Sequence, residues 1–306
     1  MDHGHYPFSA LPTRPRLTWP GGARLAAFVL LYLEHWELRA PAPTLRDPRF
    51  VGEFGSFEPD YRSWTQREYG NRVGVFRVLD LLDAAGIVPA VAASAMAVDR
   101  NPRLVSMLKA RGCEFIAHGM AAGRMISSRM AEHEEREFIA TAIDILERAT
   151  GMRPRGWCGQ DHGESAHTPQ RLADAGIEYV LDWPNDEQPY WMSTQPRLLA
   201  VPTQPEWDDV EAQWLRRVPV TRYPALVDEA FSTLHAEGEV SGRTFCLAVH
   251  PWLSGMASRV RYLRETIEAI RRHPGLWWTQ PGQISAHLHA LGDGAGRPPR
   301  GAAGTG

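Results

Sequence analysis

The chain has 306 residues, 43% of them apolar, and a net charge of −3. That length suits one large α/β domain, and no linker-like stretch divides it. The basic residues are dispersed, no apolar run reaches membrane-spanning length, and the three cysteines (Cys113, Cys158 and Cys246) are odd in number and widely spaced; nucleic-acid binding, a membrane span and a disulfide framework are therefore not expected.

In chain order, residues 1–20 are rich in Pro and polar residues and read as a surface arm, without the basic start and apolar core of a secretory signal, so a cytoplasmic setting is expected. Trp19-Pro20-Gly21-Gly22 turns into the first apolar stretch, Arg24–Glu37, which stops abruptly at Glu34, His35, Trp36 and Glu37. Residues 38–67 form a long segment rich in Pro and aromatic residues, suited to a binding loop or to self-association. A helix is expected over Val73–Ala85 with Gly86 as its stop, then a strand over Val88–Ser94 and a second helix over Pro102–Arg111. The strand Cys113–His118 follows, and then a long helix over Met130–Thr150 with a charged outer face. Arg155–Cys158 and Tyr179–Asp182 read as further strands, with a short helix over Gln170–Ala175 between them. Residues 196–220 show only short strand-like runs, at Leu198–Val201 and Leu215–Val220. Helices at Tyr223–Ala236, Arg259–His273 and Gly282–Ala290 alternate with strands at Phe245–His250 and Leu276–Thr279, and residues 292–306 read as a disordered tail.

This βαβα alternation favours a parallel sheet or barrel, in which the strands' carboxyl ends share one face and collect the chemistry. Those ends carry Glu34, Glu37, Ser94, His118, Trp157, Cys158, Asp182, His250 and Thr279, which reads as an enzyme. The cysteines are expected to be reduced core thiols, with Cys158 a weaker candidate nucleophile.

The order of an acidic strand end, EFIAHG at Glu114–Gly119, RPRGW at Arg153–Trp157, a strand ending in Asp and a late strand ending in His-Pro resembles the polysaccharide deacetylase superfamily. WPGGARLA at Trp19–Ala26, YLEHWE at Tyr32–Glu37, EYGNRVGVFR at Glu68–Arg77, AMAVDRNP at Ala95–Pro102 and PYW at Pro189–Trp191 are similar to its allantoinase and cyclic imide hydrolase branch. The resemblance implies a single-domain distorted (β/α)7 barrel over residues 21–291, a small-molecule substrate and a homo-oligomer. It also implies departures. The sugar deacetylases bind metal through two histidines four residues apart, and His118 is followed at that spacing by Ala122.

Amide hydrolysis needs an activated water, a donor for the oxyanion and an acid for the departing nitrogen. Glu34 is the expected base, its pKa raised by burial near Trp36, with Glu37 as its partner or, alternatively, paired with an arginine such as Arg72 or Arg155. His118 and His250 are expected to polarise the carbonyl or donate to the leaving nitrogen, and either offers a ring nitrogen to a metal. Asp182 either fixes a histidine tautomer or caps its loop. Arg72 and Arg155 are candidate anchors for substrate, and Trp36, Trp157 and Trp183 candidate walls for a planar ring. No cofactor is required, though zinc on Glu34 and His118 is compatible with the residues. Three readings follow: opening of a cyclic amide, imide or ureide; metal-dependent N-deacetylation; or a catalytically silent binding module.

Overall fold

The computed structural model describes residues 2–39, 41 and 59–292. Most of the aromatic segment 38–67 and the tail beyond residue 292 lie outside the described residues. Nine strands form one sheet among them: β1 (Leu25–Leu33), β2 (Ala90–Ala93), β3 (Phe115–Ala117), β4 (Gly156–Trp157), β5 (Tyr179–Val180), β6 (Tyr190–Trp191), β7 (Leu199–Ala200), β8 (Arg243–Val249) and β9 (Leu276–Trp278). Their order is β6-β7-β5-β4-β3-β2-β1-β8, parallel except at β6, which runs antiparallel to β7. The sheet curls into a half-barrel, matching the expected distorted (β/α)7 barrel. Strand β8 pairs with β1 from Leu25 to Leu31, while β9 and β2 share the other edge of β1, β9 at Leu25–Ala27 and β2 at Leu30–Leu33.

Every residue of β1 is buried, because the strand is covered on both faces and therefore needs apolar side chains throughout. Successive side chains point to opposite faces. Leu25, Ala27, Val29, Leu31 and Leu33 join the larger cluster under the helices, whereas Ala26, Phe28, Leu30 and Tyr32 join Cys158, Tyr179, Leu181, Cys246 and Ala248 in a second cluster inside the barrel. Each fully buried leucine contributes about 1.5–3 kcal/mol to this arrangement. The same alternation carries forward past the strand end, so Glu34 follows Tyr32 on the inner face. His118 follows Ile116, and His250 follows Ala248, in the same phase.

The helices are α1 (Tyr61–Tyr69), α2 (Val75–Ala85), α3 (Ala95–Arg100), α4 (Pro102–Ala110), α5 (Glu132–Thr150), α6 (Thr168–Asp174), α7 (Tyr223–Glu237), α8 (Pro251–Ser254), α9 (Val260–Arg271) and α10 (Pro281–Leu291). The helix expected to begin at Val73 is longer: α1 runs through a π turn, Gly70–Gly74, into α2. Glycine is required in that turn because α8 lies against it. A Cβ on Gly74 would overlap the carbonyl oxygen of Pro251, and one on Gly70 would sit 2.8 Å from the nitrogen of Trp252. The run Leu215–Val220, read as strand-like, forms no strand; Glu211–Leu215 is a π turn. The expected N-terminal arm packs down, with Leu17 and Trp19 buried in the inner cluster.

Candidate active site

At the barrel mouth, Glu34 and His118 face each other, with 3.7 Å between Oε1 and Nε2. The positions follow from the strands. His118 is 1% exposed, and its Nδ1 lies 2.5 Å from the carbonyl oxygen of Cys158. A carbonyl only accepts, so Nδ1 carries the hydrogen, and Nε2 is turned to the mouth. That Nε2 is buried and has no hydrogen-bond partner among the described residues. Gln160 Nε2 holds the His118 carbonyl at 2.8 Å, and the chain then turns through Gly119 at φ +62°.

Glu34 is held from behind. Asn71 Nδ2 donates to its carbonyl at 2.6 Å, and Trp36 Nε1 approaches Oε2 at 3.4 Å. Burial pushes its carboxyl up, but the facing His118, the charge of His250 and the guanidinium of Arg67 outweigh burial and leave it below the ordinary carboxylate value. This corrects the expected rise. Arg67, from α1, is 6% exposed and caged by three indoles, 3.3 Å from the ring centre of Trp252, 5.0 Å from Trp36 and 5.2 Å from Trp214. Arg67, not Arg72, is the arginine beside Glu34; Arg72 is exposed on the π turn.

His250 ends β8 and stacks on Tyr32 at 3.9 Å between ring centres. Its Nδ1 donates to Asp209 Oδ1 at 2.6 Å, and its backbone N–H donates to Oδ2 at 2.9 Å. Burial lowers its pKa, yet the carboxylates of Asp209 and Asp208 overcome that and push it up to about 9. Asp209 arrives on the segment that the sequence left unread. Among the described residues the outer edge of β8 has no neighbouring strand; its backbone groups are met instead by Glu187, whose carbonyl accepts from Thr244 N, by Trp207, whose Nε1 donates to Cys246 O, and by Asp209 at His250.

The remaining expected residues lie elsewhere. Glu37 is in a bidentate pair with Arg124, at 2.7 and 2.5 Å, so its arginine is neither Arg72 nor Arg155. Asp182 accepts twice from Gly159 N, at 2.7 and 2.9 Å, and fixes no histidine tautomer among the described residues; burial pushes it up to about 7, against the lowering hydrogen bonds of Gly159 and Glu164. Arg155 sits at the opposite, entering end of β4, half-exposed and paired with Glu178. Trp157 is fully buried and belongs to the cluster outside the barrel, because it alternates with the inward Cys158. Trp183 donates to Glu164 Oε1 at 2.9 Å and packs against His5 and Tyr6 of the arm. All three cysteines are free and buried, and burial holds each thiol up.

Residues 68–180 match the family model of polysaccharide deacetylase. Over that stretch the chain is similar to the polysaccharide deacetylases, a family of hydrolases. A Schizosaccharomyces pombe protein that carries the name of a polysaccharide deacetylase is 26% identical over 296 residues, which span 87% of this chain and 91% of that protein. Among solved structures, PuuE allantoinase is 28% identical, with a TM-score of 0.82 over 94% of this chain and 98% of that one. A probable polysaccharide deacetylase from Pseudomonas aeruginosa PAO1 is 26% identical, with a TM-score of 0.81 over 94% and 99%. Among the described residues, no helix is long and apolar enough to cross a membrane.

The deacetylase family implies a divalent metal, and the donor set tests it. Glu34 Oε1 and His118 Nε2 converge, but Ala122 stands where a second histidine would be. Asp208, Asp209 and His250 also offer ligand atoms within 4.8 Å of one another. There, however, the oxygens of Asp209 already accept from His250 Nδ1, His250 N and Ser254 Oγ. Neither group supplies the three uncommitted protein ligands of a catalytic zinc. The residues do not fit such a site.

Proposed function

We propose that this chain hydrolyses the carbon–nitrogen bond of a small cyclic amide, imide or ureide. The observation that carries the reading is the Glu34–His118 pair, 3.7 Å apart, with the Asp209–His250 pair stacked beside it on Tyr32. At that separation Glu34 Oε1 and His118 Nε2 hold one water between them, which donates to Glu34 and turns a lone pair to the substrate. As the water oxygen bonds to the carbonyl carbon, its proton passes to this pair. His250, charged at neutral pH, donates from Nε2 to the oxyanion and then gives that proton to the departing nitrogen as the C–N bond breaks. The proton held on the Glu34–His118 pair afterwards restores His250. His118, His250 and Arg67 together keep Glu34 ionised, and Asp209 fixes the tautomer and orientation of His250.

The likeness to PuuE allantoinase over nearly the whole chain supports a ureide or related ring as substrate. A cytoplasmic, self-associating enzyme remains part of the proposal. The test is hydrolysis of allantoin, hydantoin, succinimide and glutarimide before and after chelation. Ring opening that survives chelation and disappears in Glu34→Gln is the expected result; no ring opening by the metal-replete protein would overturn it. The family match over residues 68–180 favours a second reading, N-deacetylation of an acetylated sugar, which acetate release in the same assay would support.

A further inference from the structure

Asp208 stands beside Asp209, and the two carboxylates are treated differently. Asp209 is 0% exposed and has three donors on its two oxygens. Asp208 is half-buried, and its Oδ1 alone is engaged, accepting from Val210 N at 2.8 Å and Glu211 N at 3.0 Å. Those two backbone donors fix the plane of the carboxylate and leave Oδ2 without a partner among the described residues. One of its oxygens lies within 4.8 Å of ligand atoms of His250 and Asp209, which places the carboxylate beside the imidazole that ends the inner face of β8.

We propose that Asp208 is a specificity-determining residue, its Oδ2 accepting the substrate N–H next to the scissile carbonyl, so that the site takes secondary amides, imides and ureides and rejects N-alkylated rings. The proposal rests on the carbon–nitrogen hydrolase reading above. A partly desolvated acceptor that a ligand leaves unpaired costs binding, which is why sites built to receive a hydrogen bond discriminate strongly against analogues that lack the donor. The fixed Oδ1 makes Asp208→Asn a clean probe. Val210 and Glu211 donate to one side-chain atom and hold the amide oxygen there, so the NH2 group takes the place of Oδ2 and presents a donor where the carboxylate presented an acceptor.

The experiment measures kcat and KM for glutarimide and N-methylglutarimide with the wild type and Asp208→Asn, and calorimetric binding of both compounds to Glu34→Gln protein with and without Asp208→Asn. The expected result is a wild-type preference for glutarimide that collapses in Asp208→Asn, through a rise in KM of about tenfold or more, with the loss falling on KM rather than kcat. A preference that survives the substitution, or a loss confined to kcat on both compounds, overturns the proposal. If the wild type opens neither ring, the ring-opening reading fails by itself, and calorimetry decides Asp208. Tighter binding of glutarimide that Asp208→Asn abolishes supports the role; equal binding, or none, overturns it.

Discussion

His250 Nδ1 lies 2.6 Å from Asp209 Oδ1, a hydrogen bond between a strand-end imidazole and a fully buried carboxylate that precedes it by 41 residues. The bond sets which ring nitrogen carries the hydrogen toward the substrate. Asp209→Asn replaces one acceptor oxygen by a donor and is expected to reduce kcat by about 10²- to 10⁴-fold, with KM little changed, in steady-state assays of the substrate found in the panel.

The same pair makes stability depend on pH. The folded pKa of His250, pushed up to about 9, exceeds its unfolded value of 6.5, so its contribution is complete below pH 6.5 and is lost as pH rises through about 9. The difference corresponds to about 3 kcal/mol. Urea denaturation between pH 6 and 10 should show the decline, and Asp209→Asn should flatten it.

Arg67 holds a positive charge beside Glu34 from within its tryptophan cage. Glu34 is kept below the ordinary carboxylate value, so the acid limb of kcat/KM should lie below that value too. Arg67→Met removes the charge and should move this limb to higher pH, whereas Arg67→Lys should move it less. Unchanged limbs in both variants would show that Arg67 only packs.

Gly74 touches the backbone of α8, which follows His250 directly. Gly74→Ala forces the π turn away from Pro251 and Gly255 and should cost about 1–3 kcal/mol in chemical denaturation. Activity should fall with it, because the same turn places Asn71 on the carbonyl of Glu34.

Arg155→Ala serves as the contrasting case. Its partner Glu178 lies with it at the opposite end of the sheet, and the pair is half-exposed, so kcat and KM should remain at wild-type values and stability should change by about 0–1 kcal/mol.

The barrel and one wall of the site were legible because strand physics writes them plainly. Apolar runs that stop at Glu34, His118 and His250 continue their alternation for one more residue, which sends all three side chains inward. The direction of the Glu34 pKa was not legible, since it depends on His118 and His250 converging on it and, last, on Arg67, whose cage draws Trp36, Trp214 and Trp252 from three distant parts of the chain. Asp208 and Asp209 were invisible for a different reason. Their segment satisfies the edge of β8 through an indole and a carboxylate rather than through a ladder, so it carries no period of two. Trp157 was misplaced because a tryptophan at a strand end looks like a wall until the register with Cys158 fixes which face it takes.

The segment along β8 also separates two kinds of change. A strand cannot be swapped without risking a slip that reverses every side chain on it. Residues 203–211, by contrast, grip β8 at two points and deliver both carboxylates beside His250. Transplanting that stretch from a relative would re-aim the proton donor and recast the N–H filter while the barrel stayed as it was, a natural route by which one scaffold acquires new leaving groups.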